Sequence, residues 1–216
     1  MNIINDFRAY KDCLKETLAS FRFRYLNRKD KWGHIGIGTV VHSPSKVAGR
    51  ENIFLGDRVN IDWDNTIYAL RGKFIMGDYS GAAIGLTVIT DNHVTIPGQK
   101  FKSEMVGGNN NLVGADVIVG EDVWIASNVT LLSGAQIGRG AIIGAGSVVR
   151  KQIPPYAIVE GNPSKVVGFR FNPDEIIAHE EQMYSPNNRL SRDFIEKNYE
   201  KYFLKRLKEI KEFTKV

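Results

Sequence analysis

Four histidines are the chain's candidates for a proton-accepting base: His34, His42, His93 and His179. An unperturbed imidazole titrates near about 6.5, so it can take a proton at neutral pH. His93 closes the run TVITDNH, two residues after Asp91, a carboxylate that can orient an imidazole ring or serve a corner of the chain. Residue type alone leaves the choice among the four open. The single cysteine, Cys13, excludes an intramolecular disulfide and reads as a small core-facing residue. The sequence has neither a Cys cluster nor a paired-histidine spacing, so no metal is expected. With no obvious covalent nucleophile, any group transfer by this chain is expected to pass directly between two bound substrates.

The elements that must position such a base follow a period of six. Residues 119 to 154 divide into VGEDVW, IASNVT, LLSGAQ, IGRGAI, IGAGSV and VRKQIP, with an aliphatic residue opening each. Four places on come Val123, Val129, Ala135, Ala141, Ser147 and Ile153, small or β-branched for the most part. Just before these stand Asp122, Asn128, Gly134, Gly140, Gly146 and Gln152, expected at corners, where Asp, Asn and Gly tolerate positive φ. This period matches neither a helix nor a half-buried strand; it is the signature of a hexapeptide β-helix. One coil cannot bury its own apolar face, so coils must stack. An earlier, rougher array runs through Ile35, Val41, Val47 and Ile53, shifts frame to Leu55, Ile61 and Ile67, and resumes at Met76, Ala82 and Val88. IFLGDRVNID, FIMGDYSGAA and VIVGEDVWIA look like equivalent pieces of successive coils. At roughly 18 residues per turn, residues 35 to 92 make about three coils, with further turns from about 113 to 160. Trp124, bracketed by Val123 and Ile125, must point out of this prism.

The stretch VWIASNVTLLSGAQIGRGAIIGAGSVVRKQIPPYAIVEGNPSKVVG, residues 123 to 168, closely resembles the hexapeptide acyltransferases. It is most similar to their O-acetyltransferase branch, which includes maltose, galactoside, nodulation-factor, capsule, O-antigen and xenobiotic acetyltransferases. The resemblance spans roughly residues 33 to 171. It implies a mainly β fold, a left-handed parallel β-helix, with acetyl-CoA as donor, a sugar or glycan as acceptor, and homotrimers with active sites between subunits. His93 matches the position of the family's catalytic histidine, where a coil meets an expelled loop. Trp124 matches a tryptophan lining the acceptor site, with Asp91 the weaker acceptor-side candidate. The pantetheine arm is expected near Ala126, Ser127 and Ala145, with an amide at Ala126 or Ser127 serving the oxyanion. Lys151 and Lys165 match cations that hold the nucleotide phosphates. Arg150 replaces a small hydroxyl residue there and adds a phosphate contact.

The remaining segments flank this array. Residues 2 to 21 carry Ile3, Phe7, Tyr10, Leu14, Leu18 and Phe21 at helical spacing, and are expected to cap or flank the first coil. The expected organisation is a helical cap and linker over 1–32, the β-helix over 33–171 and a helical extension over 172–216. HVTIPGQKFKSEMVGGNNNL, residues 93 to 112, breaks the rhythm and should leave the wall as a loop. A helix over 173–183 opens with Asn172-Pro173-Asp174-Glu175, an N-cap, a Pro at N1 and acids in the first turn. A last helix is expected over about 191–213.

The 216 residues, 43% hydrophobic and 25% charged, suit one sizeable globular domain with appendages. No apolar run approaches the ~20 residues of a membrane span, and the first residues lack a signal-peptide core; a cytoplasmic chain is expected. The formal charge of +5 is compatible with phosphorylated cofactors or acidic glycans, and no nucleic-acid-reading motif is present, so no nucleic-acid partner is expected. Other acceptors within the same chemistry are a xenobiotic such as chloramphenicol or a streptogramin, or the amine of a nucleotide sugar. A non-catalytic β-helix scaffold is the alternative of a different class.

Overall fold

The computed structural model describes residues 31–43, 45–98, 100 and 112–215, together with residues 10, 11, 13–15, 17, 18 and 21. The chain is mainly β, a parallel solenoid of about six turns with helices at its C-terminal end.

Three parallel sheets form the walls. The first wall stacks β1 (His34–Ile35), β4 (Ile53–Leu55), β7 (Phe74–Met76), β12 (Val117–Val119), β15 (Gln136–Ile137) and β18 (Gln152–Ile153). The second stacks β2 (Val40–Val41), β5 (Asn60–Ile61), β8 (Gly81–Ala82), β13 (Trp124–Ile125), β16 (Ile142–Ile143) and β19 (Ala157–Glu160), closed by the antiparallel β20 (Lys165–Phe169). The third stacks β3 (Ser45–Ala48), β6 (Asn65–Tyr68), β9 (Thr87–Ile89), β14 (Thr130–Leu132) and β17 (Val148–Val149).

The registers turn the six-residue rhythm into columns. Ile35, Leu55, Met76, Val119, Ile137 and Ile153 stand in one vertical file. Val41, Ile61, Ala82, Ile125, Ile143 and Val159 form the second. Val47, Ile67, Val88, Leu131 and Val149 form the third. From the second coil on, these residues are buried, and with the small residues at the bends they make one continuous core. In the first coil, Ile35, Val41 and Val47 are only half-buried, and among the described strands that coil has a neighbour on one side alone.

The corners are sharp because the chain enters the left-handed region there. Asp122, Asn128, Gly134, Gly140 and Gly146 have φ of 55°, 58°, 82°, 69° and 70°. Gln152 departs from the expectation: it lies in β18, opposite Gln136. The frame slips by two residues after Val149, so Ile153 takes the aliphatic file and Tyr156, at φ 61°, takes the bend. Arg58 and Tyr79 occupy the equivalent bend in earlier coils at φ 54° and 56°.

The helical extension is α1 (Pro173–Met183), α2 (Arg192–Tyr202) and α3 (Leu207–Phe213). Asn172 and Glu175 form a reciprocal capping box that starts α1. From α1, Glu180 reaches the last coil: it accepts hydrogen bonds from Tyr156 Oη at 2.5 Å and Leu190 N at 2.8 Å. The expected single helix over 191–213 is broken at Phe203, whose φ and ψ of −121° and −67° are not helical, and a short 3₁₀ turn follows at Leu204–Arg206. The break lets Phe203 pack on Tyr199 and Phe169 while Ile195 and Ile210 are both buried.

The N-terminal expectation is met in part. Residues 10, 11, 13–15, 17, 18 and 21 are helical, but Tyr10, Leu14, Leu18 and Phe21 are exposed rather than laid on the first coil, and the rest of 2–21 lies outside the described residues. Cys13 is likewise exposed, not core-facing. It is Trp32, 8% exposed, that joins the core at this end.

Candidate active site

The prism's third wall carries the candidate base. At the end of the third coil the chain leaves β9 and turns outward through β10 (Asp91–His93), which pairs antiparallel with β11 (Leu112–Gly114). His93 faces Leu112 across this hairpin neck, so it stands at the base of the expelled loop, exposed to solvent. Its backbone N–H donates to Asn92 Oδ1 at 2.9 Å. Of the loop itself, residues 94–98 and 100 are described and exposed; 99 and 101–111 lie outside the described residues, and the triple asparagine with them.

Asp91 is engaged in the corner below. Its carboxylate accepts from the backbone N–H of Leu70 at 3.2 Å and of Arg71 at 2.7 Å, and from Thr90 Oγ1 at 3.1 Å. These bonds fix the exit of the hairpin, which positions His93 through the backbone.

The expected phosphate cations come together. Arg150 and Lys151 leave β17 at the same end of the third wall as the hairpin leaves β9, two strands away. At ~4.8 Å per strand that is about 10 Å along the prism axis. Lys165, at the start of β20, and Arg206, from the 3₁₀ turn after α2, complete a cavity of about 290 Å³ that Tyr202 also lines. Sequence reasoning did not find Tyr202 and Arg206, because the break at Phe203 is what brings them over the wall. Glu209 already holds two of the four cations: it accepts from Arg206 Nε and Nη2 at 3.1 Å each and lies 3.5 Å from Lys165 Nζ. The hydrogen bonds from Arg206 hold the Glu209 carboxyl below the usual carboxylate range.

Ser127 and Ala145 occupy equivalent places on successive coils, at the edge between the second and third walls, since Ile125 pairs with Ile143. The Ala126 amide is a correction to the sequence reading. It donates to Ile143 O at 2.9 Å and is consumed by the coil-to-coil ladder, so it is not available to an oxyanion. The Ser127 carbonyl accepts from Gly146 N, whereas its N–H has no partner among the described residues.

Trp124 projects from the second wall, half-exposed as its bracketing neighbours require. It lines a cavity of about 360 Å³ whose floor is Gly81 and whose sides include Asn60, Arg58, Tyr79 and Arg170. A Cβ at Gly81 would lie in ordinary contact, 3.4 Å, with the indole Cε3 and Cζ3, so the ring lies directly over the glycine floor. Within one chain His93 and Trp124 therefore belong to different faces: one at the end of the third wall, one on the second.

Residues 116–151 match the family model described as bacterial transferase hexapeptide, six repeats. Among solved structures the chain is similar to a maltose O-acetyltransferase from Clostridium difficile 630. The two are 27% identical, with 80% of this chain and 90% of that one covered and a TM-score of 0.61. The chain thus carries the hexapeptide repeats of bacterial transferases on a fold that it shares with acetyltransferases. Two further acetyltransferases share this fold. One is the hexapeptide-repeat enzyme of Vibrio cholerae O1 biovar eltor with acetyl-CoA, at 20% identity, 73% and 86% coverage and TM-score 0.63. The other is a galactoside acetyltransferase with coenzyme A, at 21% identity, 82% and 87% coverage and TM-score 0.61. Comparison with curated protein sequences gives no match. Among the described residues no group of three or more His, Cys, Asp or Glu side chains is arranged to hold a metal, and no helix is long and apolar enough to cross a membrane.

Proposed function

We propose that this acyltransferase moves an acetyl group from acetyl-CoA to a hydroxyl of a sugar or surface polysaccharide, with His93 as general base. The observation that carries this reading is the shared end of the third wall. There an exposed histidine on a hairpin neck and a cavity ringed by Arg150, Lys151 and Lys165 stand two strands apart. The cations suit the nucleotide phosphates. The small residues Ser127 and Ala145 leave room for a pantetheine arm on the neighbouring edge.

In the reaction, His93 takes the proton of the acceptor hydroxyl as its oxygen bonds to the thioester carbonyl carbon. The tetrahedral oxyanion is met by a backbone N–H, for which Ser127 is the candidate. The carbon–sulfur bond then breaks, and the thiolate leaves as coenzyme A after regaining the proton from the imidazolium. Trp124 offers its indole face to the apolar side of the sugar ring. Because His93 and Trp124 occupy different faces of one chain, a site that uses both draws them from two subunits. This favours a homotrimer, which light scattering would test. A cytoplasmic setting fits the need for acetyl-CoA.

The deciding experiment is thiol release from acetyl-CoA, wild type against His93→Ala, over sugars, oligosaccharides, an amino-sugar nucleotide and chloramphenicol. Loss of a general base lowers turnover by about 10²–10⁴-fold. Unchanged turnover in the variant would remove His93 from the mechanism. A product stable to mild alkali would be an amide and would replace the O-acetyl reading. Absence of both acetyl-CoA binding and turnover would leave a scaffold.

A further inference from the structure

The cavity beside Trp124 is ringed by charge that a neutral sugar does not need. Its residues come from one repeated place in the coil: Arg58, Tyr79 and Asp122 stack at the bend before the second wall, and Asn60, Gly81 and Trp124 stack one step inside it. Two guanidinium groups and one carboxylate face the space. Arg170 Nη1 is bonded to Asp122 Oδ2 at 2.7 Å, so that pair is internally neutralised.

Arg58 is different. Its guanidinium lies 5.7 Å from the Tyr79 ring centroid, and it has no carboxylate partner among the described residues. The nearby acids are committed to the backbone of the same corner. Asp57 Oδ1 accepts from Ile37 N at 2.7 Å, and Asp78 Oδ1 accepts from Asp57 N at 2.8 Å. Among the residues that line it, the cavity therefore presents one guanidinium without an ion pair, next to an exposed indole face and to Asn60, whose Oδ1 lies 3.2 Å from His42 Nε2.

We infer that this cavity is a subsite for an acidic pyranose, a sugar ring bearing a carboxylate. The inference rests on the proposed sugar-acceptor reading and names the class of sugar. The ring lies against Trp124 over the open floor at Gly81. Its carboxylate meets the planar fork of Arg58, which can bind two oxygens at once. Asn60, whose Nδ2 donates one hydrogen to Asp62 Oδ1 at 2.9 Å, keeps its second amide hydrogen for a ring hydroxyl. A single free cation matches the one charge of a carboxylate better than the −1.5 to −2 of a phosphate monoester, by roughly a full unit. The space, at the small end of the roughly 300–1,000 Å³ range of ligand pockets, admits one sugar unit rather than a longer stretch of chain.

The test is binding of three probes, methyl glucuronide, methyl glucoside and methyl glucoside 6-phosphate, followed by NMR titration at low and high salt. Wild type, Arg58→Gln and Trp124→Ala are compared. The expected result is that wild type prefers the glucuronide to the glucoside by about fivefold, the scale of an exposed ion pair, and that salt erodes the preference. Arg58→Gln should bind both equally and as weakly as wild type binds the glucoside. Trp124→Ala should lose both. Equal binding of the two by wild type, no binding of either, a preference that survives Arg58→Gln, or a stronger preference for the phosphate would each overturn the assignment. The outcome is independent of the acetyl-transfer assay. An Arg58-dependent preference without transfer to any hydroxyl would keep the subsite and sink the proposed reaction. Transfer to neutral sugars, with no Arg58-dependent preference, would do the reverse.

Discussion

Glu180 ties the helical extension to the last coil, and its removal should be among the costliest single changes outside the aliphatic files. The side chain is 1% exposed, and so is Tyr156 beneath it. One carboxylate oxygen accepts from the Tyr156 hydroxyl; the other accepts from Leu190 N and lies 3.4 Å from Arg139 Nη1. Hydrogen bonds to a charged group contribute about 1.5–3 kcal/mol each. Arg139 adds little to the ledger, since it also donates to Asn188 O at 3.0 Å, reaches Glu121 at 3.5 Å and stacks 4.2 Å from the Tyr184 ring. Glu180→Leu strands the Tyr156 hydroxyl and the Leu190 amide and should cost about 3–5 kcal/mol. Glu180→Gln keeps one acceptor for Leu190 N and turns an amide donor toward a hydroxyl oxygen that can accept, so it should lose only the charge assistance, about 1–2 kcal/mol. Tyr156→Phe should cost about 1.5–3 kcal/mol in the wild type. In Glu180→Leu the same change should cost nothing, because it deletes an orphaned hydroxyl. Urea unfolding of the four chains closes the cycle, with a coupling of at least about 1.5 kcal/mol expected. Equal cost of Tyr156→Phe in both backgrounds would refute this account of the lock.

Alkali should weaken the same region. Burial, then the bond to Glu180, pushes the Tyr156 hydroxyl well above its ordinary pKa, and burial pushes that of Tyr184 up to about 12. Both stay protonated in the fold while the unfolded chain loses those protons from about pH 10, so stability present below pH 10 falls as pH rises toward 12; Tyr156→Phe should flatten that slope in urea midpoints measured from pH 9 to 11.5. Glu209→Gln should release Arg206 and Lys165 toward the phosphates and tighten acetyl-CoA binding severalfold by calorimetry; unchanged or weaker binding would show that the carboxylate does not compete for that cavity. Gly81→Ala should be tolerated, since its Cβ makes ordinary contact with Trp124 at 3.4 Å, whereas Gly81→Leu should fill the floor and raise the acceptor KM without changing acetyl-CoA affinity.

The aliphatic files were legible in the sequence because each member is fixed by a local count of six. The rough frame at Ile35 to Val88 also resolves correctly, since Leu55 and Met76 fall in the same file as Val119. What failed was the count where it slips: Gln152 and Ile153 are displaced by two places, because the next aliphatic position comes four residues after Val149 instead of six. The break at Phe203 was hidden for another reason. Helical spacing continues through it, and only packing against Phe169 and Tyr199 interrupts the backbone. Of the site, His93 and the three cations at 150, 151 and 165 were named through the family resemblance, and the structure gathers those cations in one cavity. Arg58, Tyr79 and Gly81 went unread, although IFLGDRVNID, FIMGDYSGAA and VIVGEDVWIA, laid one under another, place them in the columns of Asp122 and Trp124. The signal was vertical, between coils, and the reading ran along the chain.

The half-buried first coil gives the molecule a direction. Each inner coil is held from above and below, whereas β1, β2 and β3 have, among the described strands, a neighbour on one side only. At the other end β20 folds back over β19 and Glu180 bolts a helix across the last bend. In a stack whose units touch only their neighbours, opening starts where a unit has lost half its contacts and moves inward one unit at a time. The prism should therefore unzip from Ile35 toward Val159. Amide hydrogens would exchange in that order, and a pull on the N-terminal end would peel coils off in steps while a pull on the C-terminal end met the lock first.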